Sequence, residues 1–114
     1  MGFERGQVVR VPFPFTDRSA SRNRPALVCS VAGRFNLPSS HVVLAMITSA
    51  NNPPWTLDCA IEDLATAGLP APSVVRCKLF TLDARLIRGA LGELAEADAA
   101  RCWRALQTLL GFEG

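Results

Sequence analysis

Apolar and polar positions alternate from the start of the chain. In Gln7–Phe13, Val9, Val11 and Phe13 share one parity while Val8 and Arg10 share the other, which predicts a strand. Pro14–Asn23, rich in Ser, Arg and Asp, predicts a loop. Pro25–Val31 is a short apolar strand, and Ala32–Ser40, with Gly33, Asn36 and Pro38, is a second loop. His41–Thr48 is apolar at both parities, so this strand is expected to be covered on both faces. Ser49–Trp55, with Asn-Asn-Pro-Pro inside it, predicts an exposed turn, and Thr56–Ile61 a weak strand. A polar connection, Glu62–Pro72, leads to a long strand at Ser73–Leu82 and a further one at Ile87–Leu94, weakened by Gly89 and Gly92. From Glu96 to Gly111 the period changes to 3.6. Ala99, Cys102, Trp103, Leu106, Leu109 and Leu110 form one apolar stripe, which makes Trp103 a core residue. Gly111 suits the position after the last helical turn, whereas Ala95 is a poor N-cap. About six strands and one C-terminal helix predict a mainly β (α+β) domain over residues 1–114: a small, strongly curved antiparallel sheet capped by a helix.

Composition narrows the function classes. With 49% apolar and 19% charged residues in 114, the chain is globular and large enough to bury a core. The longest charge-free stretch, Phe35–Leu57, carries three prolines and several Ser and Asn, so no membrane span is expected. Met1–Arg10 is charged and runs straight into a strand, which argues against a secretory signal and makes the cytoplasm the expected location. Cys29, Cys59, Cys77 and Cys102 form no C-x-x-C pair and His41 is the only histidine, so no metal site is expected and the thiols are expected buried and reduced. Asp58, Glu62 and Asp63 fall around a turn, as solvated acids do, and no glycine-rich phosphate loop is present.

Charge is asymmetric. Residues 1–50 carry six Arg against Glu4 and Asp17; residues 51–114 carry six bases against eight acids. Eleven of the twelve bases are Arg, the side chain whose planar fork suits phosphate. Arg18, Arg22 and Arg24 lie in one loop, and Pro25 holds Arg24 to an extended backbone. If the second and third strands are neighbours, Arg24 and the strand-end Thr48 meet as a metal-free donor cluster for a phosphate. The plain alternative is a surface Arg and an ordinary strand-end Thr.

Five segments in order then make the chain recognisable. Glu4-Arg5-Gly6-Gln7-Val8-Val9, Arg24-Pro25-Ala26-Leu27-Val28, Ile47-Thr48-Ser49, Ser73-Val74-Val75-Arg76-Cys77 with Thr81-Leu82-Asp83, and Leu91-Gly92-Glu93-Leu94 resemble the MazF/PemK family of toxins from type II toxin–antitoxin pairs. The resemblance implies an SH3-like barrel of the CcdB/MazF kind, a homodimer, and a metal-independent, cofactor-free endoribonuclease. Such an enzyme cuts single-stranded mRNA at short sequences. The 2′-hydroxyl attacks the adjacent phosphate and leaves 2′,3′-cyclic phosphate and 5′-hydroxyl ends. It further implies an antitoxin whose acidic, disordered tail covers the RNA groove.

By the same resemblance Arg24 and Thr48 are the catalytic residues. Substrate contacts are expected from Phe15, Asp17, Arg18, Arg22, Ser49, Arg76 and Lys78. Lys78 stands where one branch of the family has an aspartate base, and that branch's first-loop His corresponds to Arg18 or its neighbours. The base is therefore open among Asp17, Ser49 and water. Two rival functions share the fold: a gyrase poison of the CcdB kind, and a non-catalytic barrel that binds RNA or protein.

Overall fold

The computed structural model describes residues 2–13 and 22–112. Six strands form one antiparallel sheet: β1 (Gln7–Phe13), β2 (Arg22–Val28), β3 (His41–Ser49), β4 (Cys59–Ala60), β5 (Ser73–Asp83) and β6 (Gly89–Glu93). Their spatial order is β4-β5-β3-β2-β1-β6, curled into a half-barrel. Helical turns α1 (Leu37–Ser39) and α2 (Leu64–Ala67) lie in the connections, and α3 (Glu96–Leu110) follows β6. Among the described residues no helix is long and apolar enough to cross a membrane.

The strand and helix expectations hold, with four differences. β2 starts at Arg22 rather than Pro25, because Phe13, Pro12 and Val11 of β1 pair with Arg22, Asn23 and Arg24 and draw a polar segment into the ladder. The weak strand shrinks to two residues. The 62–72 connection contains α2, held between two ends: Asp63 Oδ1 accepts from Thr66 N at 3.1 Å, and Gly68 takes φ +74°. The loop after β2 is a wide helical turn at Ala32–Asn36 that leads into α1. Gly92, which weakens the strand signal, is required by packing: a Cβ there would come within 2.4 Å of the Thr66 carbonyl oxygen, so α2 can lie flat on β6 only over a glycine.

Each face of the curled sheet has its own core. Val8, Leu27, Ala45, Ile47 and Val75 point toward α3 and pack under Leu94 and Cys102. The residues of opposite parity, Val9, Val11, Ala26, Val28, Val42, Leu44 and Leu82, form a second fully buried cluster, closed by Phe3, Phe80 and the turn after β5. β3 contributes to both clusters, as its apolar pattern predicts. Trp103 packs against the first core, as expected, but is only half-buried, and Arg5 lies over its ring, 4.1 Å from the centroid. The last turn of the apolar stripe overhangs the sheet, leaving Leu109 and Leu110 exposed. The four cysteines are free thiols, but only Cys102 is fully buried. Desolvation, with the charge of Cys77, pushes Cys29 up to about 12.

Two polar clamps fix the connections. Asp98, in the first turn of α3, is buried and accepts from Asp63 N at 2.9 Å, from Glu62 N at 3.2 Å and from the Arg101 guanidinium, which also donates to Ala60 O at 3.0 Å. Burial opposes the Asp98 charge, but these donors hold its carboxyl below the ordinary range. The second clamp holds the 50–58 loop beside β5. Arg76 grips Asp58 with two hydrogen bonds, at 3.0 and 2.9 Å, and donates to Pro53 O at 2.9 Å. Arg76 is the main cause of the lowered pKa of Asp58.

Removing Asp98 strands two backbone donors and an arginine. Asp98→Ala is expected to cost about 3 kcal/mol, seen as a lower urea midpoint; a loss below about 1 kcal/mol would show that the clamp is not structural. The Asp58 clamp has a pH signature. Because the folded pKa lies below the ordinary 3.8, its stabilisation is complete above that pH and disappears as pH falls through the folded value. In a Trp103→Phe background, Trp55 fluorescence should stay constant down to pH 3.8 and change only below it, and Asp58→Asn should produce the changed emission at neutral pH. Emission unaffected by Asp58→Asn would contradict the clamp.

Candidate phosphate-binding site

The site is set by strand parity. Val11 faces Arg24 and Phe13 faces Arg22 across β1–β2, and Ala26 faces Met46 across β2–β3. Alternation therefore puts Phe13, Arg22, Arg24, Met46 and Thr48 on the face that carries the second core, beyond its closed end. The paired register of β2 and β3 stops at Ala26–Met46. Pro25 has no N–H to give, which suits a strand that loses its neighbour at this point. Continued by two residues, the same register sets Arg24 across from Thr48.

On the far side, β5 pairs with β3 through a bulge. Ala45 faces Leu79 but Met46 faces Arg76, so two extra β5 residues, Cys77 and Lys78, are accommodated. An insertion of two residues keeps the alternation, so Lys78 shares the face of Arg76 and Phe80. A hollow of about 300 Å³ results, lined by Phe13, Met46, Thr48, Arg76, Lys78 and Phe80.

Charge at this end is positive and unevenly committed. Arg24 is exposed and has no hydrogen-bond or ion-pair partner among the described residues. Lys78 is also exposed, its Nζ 4.9 Å from the centroid of the Trp55 ring. Arg76 differs: three of its donor contacts are made inside the protein, to Asp58 and to the Pro53 carbonyl, and its guanidinium lies 5.9 Å from Trp55. It works here as a strut for the 50–58 loop. Thr48 is half-buried, and its Oγ1 accepts from Asn52 Nδ2 at 2.5 Å.

The other expected residues divide. Arg22 sits beside Arg24 on the same face, opposite Phe13. Ser49 is the next residue after Thr48, so its side chain leaves the opposite face; its Oγ accepts from Asn51 N at 3.1 Å. Phe15, Asp17 and Arg18 lie outside the described residues. Asp58 meets the hollow only through Arg76, which holds its carboxyl below the ordinary range and makes it a poor proton acceptor. The single His, His41, lines a separate hollow of about 510 Å³ with Asp83 and Arg85 and takes no part here. Among the described residues no group of three His, Cys, Asp or Glu is placed to hold a metal ion.

Sequence reasoning does not single out Phe13, Met46 or Asn52, and its reading of Asp58 as a solvated turn acid is corrected here: the Asp58 carboxylate is only 15% exposed and paired with Arg76. Parity could have found Phe13 and Met46, which share a face with Arg24 and Thr48. Nothing local marks Asn52 or Asp58, since their partners depend on how the loop folds back. What the arrangement offers a phosphate is a guanidinium with no partner among the described residues and a hydroxyl on the same face, with a lysine and apolar side chains alongside.

Comparison with known proteins places the fold and the family. The sequence matches the family described as PemK-like, MazF-like toxin of type II toxin–antitoxin system over residues 4–110. No curated relative matches it by sequence. Among solved structures, a MazE–MazF complex from Deinococcus radiodurans superposes with a TM-score of 0.74 at 22% identity, covering 97% of each chain. An endoribonuclease in complex with its cognate antitoxin, from a mycobacterial species, superposes with a TM-score of 0.72 at 24% identity, covering 96% of this chain and 93% of its own. The Mycobacterium tuberculosis toxin MazF-mt6 reaches 0.72 at 18% identity, covering 95% and 99%. These likenesses establish the fold, and the match over residues 4–110 establishes more: the chain belongs to the PemK-like, MazF-like toxin family of type II toxin–antitoxin systems.

Proposed function

We propose that the protein is an endoribonuclease toxin that cuts single-stranded RNA at the Arg24–Thr48 end of the sheet, without a metal or other cofactor. The observation that carries this reading is strand parity: Arg24, exposed and without a partner among the described residues, lies on the same sheet face as Thr48, across from it if the β2–β3 register is continued by two residues. In the reaction the 2′-hydroxyl attacks the neighbouring phosphorus, the P–O5′ bond breaks, and the products are a 2′,3′-cyclic phosphate and a 5′-hydroxyl. Charge accumulates on the non-bridging oxygens in the transition state. Arg24 donates to those oxygens, and the Thr48 hydroxyl fixes the phosphate, so both act more on turnover than on binding. The need for a 2′-hydroxyl makes RNA the substrate and DNA an inert competitor.

Arg22 and Lys78 extend the positive surface along the strand. Phe13, 42% exposed, lies on the same face as Arg22 and Arg24. The same cationic surface suits an acidic antitoxin segment; a MazE–MazF complex and an endoribonuclease with its cognate antitoxin are among the structural neighbours, and a homodimer is the assembly this reading implies.

The test is cleavage of a long single-stranded RNA in excess EDTA, with the product ends identified. Wild-type protein should give cyclic phosphate ends, and Arg24→Ala should slow the reaction by about 10²–10³-fold. Lack of cleavage by the wild type would overturn the enzyme reading in favour of a gyrase poison or a binding barrel. Cleavage undiminished by Arg24→Ala would remove the site.

A further inference from the structure

The 50–58 loop carries a second polar contact into the site. Asn52 Nδ2 lies 2.5 Å from Thr48 Oγ1. A threonine hydroxyl has one proton to give and two lone pairs to receive with. When the amide occupies a lone pair, the hydroxyl proton must be directed elsewhere. Because Thr48 lines the hollow together with Arg76 and Lys78, the open direction is into that hollow. We propose that Asn52 is a positioning residue: it sets the Thr48 hydroxyl as a donor toward a non-bridging phosphate oxygen of bound RNA. This inference rests on the ribonuclease reading and adds the residue that polarises its hydroxyl.

The geometry around Asn52 is built to hold it there. Its N–H donates to Ser49 O at 3.1 Å, and Asn51 N donates to Ser49 Oγ at 3.1 Å, so the chain turns tightly out of β3. Pro53 follows directly and restricts the Asn52 backbone. The carbonyl of Pro53 is then tied to Arg76 at 2.9 Å, and Trp55 N donates to Asp58 Oδ2 at 2.9 Å. Asn52 thus sits between a turn anchored on β3 and a strut anchored on β5. The strut accounts for a family-position arginine whose donor contacts are committed inside the protein: Arg76 acts on the site through the loop. A hydroxyl oriented before RNA arrives loses less freedom on binding and meets the transition state already aimed.

Polarity gives the decisive test. Asn52→Asp keeps the shape but replaces a donor with an acceptor, so the Thr48 proton turns toward the new carboxylate. Steady-state cleavage of a short RNA by this variant should show kcat reduced about 10–100-fold at pH 7 with KM within a few-fold. The loss should shrink as pH falls toward 4, where the introduced carboxyl protonates and can donate again. Asn52→Ala should lower kcat about tenfold, and in a Thr48→Val background it should add nothing further. Asn51→Ala, one residue away, should leave kcat unchanged.

The inference is overturned if Asn52→Asp cleaves as well as the wild type, or if Asn52→Ala and Thr48→Val are additive. A fully active Thr48→Val variant would instead overturn the ribonuclease site itself. A readout without RNA keeps the two apart. In the free protein the two Asn52 side-chain amide protons should be widely separated by NMR, one hydrogen-bonded, and Thr48→Val should bring them together. No change on Thr48→Val would refute the contact whether or not the protein cleaves.

Discussion

The structure depends on the alternation of side chains along β2 and β3. A strand sends successive residues to opposite faces, so a shift of one residue would exchange the two sets completely. Here both sets are used. Leu27, Ala45 and Ile47 go under α3; Ala26, Val28 and Leu44 close the opposite core. With both faces apolar in mid-strand, the register is fixed by burial on either side. The same register then runs past the end of the second core and carries Arg24 and Thr48 to one surface. The site is thus an extension of core packing: the residues that ensure its alignment are apolar and lie two to four positions away. Pro25 marks the change, because it ends the β2–β3 pairing and leaves room between the strands.

Electrostatics then separate the cations that meet at this end. Arg76 and Asp58 neutralise each other, and their pair holds a loop. Arg24 and Lys78 remain exposed, with Lys78 beside the Trp55 ring. An arginine committed to a bidentate carboxylate is a poor ligand for a passing phosphate, whereas an uncommitted one can follow charge as it develops. The distribution of partners therefore assigns roles that residue type cannot. Among the described residues no carboxylate or imidazole is free to act as a base at this end, which fits the same logic. Asp58 is held ionised and occupied and His41 lies in another hollow, so the proposed reaction rests on charge stabilisation and on placing the 2′-hydroxyl in line.

Much of this was legible in the sequence, because periodicity reports burial directly. β1 and α3 are found at their predicted positions, and β2 and β3 are neighbours, which puts Arg24 and Thr48 on one face of the sheet. What escaped depends on partners distant in sequence. Arg22–Arg24 read as loop, but the end of β1 recruits it as strand. The four-residue α2 has no period to detect and exists because Asp63 and Gly68 close its ends and Gly92 lets it lie on β6. Arg76 read as a substrate contact from its family position; only the fold of the 50–58 loop reveals Asp58 as its partner, and only that loop brings Asn52 to Thr48. Trp103 lay on the apolar stripe, but the edge of the sheet leaves one face of its ring for Arg5.

The central claim is that Arg24 and Thr48 bracket the scissile phosphate. The most direct measurement is a crystal structure of the protein with a single-stranded RNA carrying 2′-O-methyl groups, which block attack and leave the phosphates intact. The account predicts one phosphate within hydrogen-bonding distance of both the Arg24 guanidinium and the Thr48 hydroxyl, with Arg76 still on Asp58. RNA bound on the α3 face or in the His41 hollow, with no phosphate between Arg24 and Thr48, would contradict it.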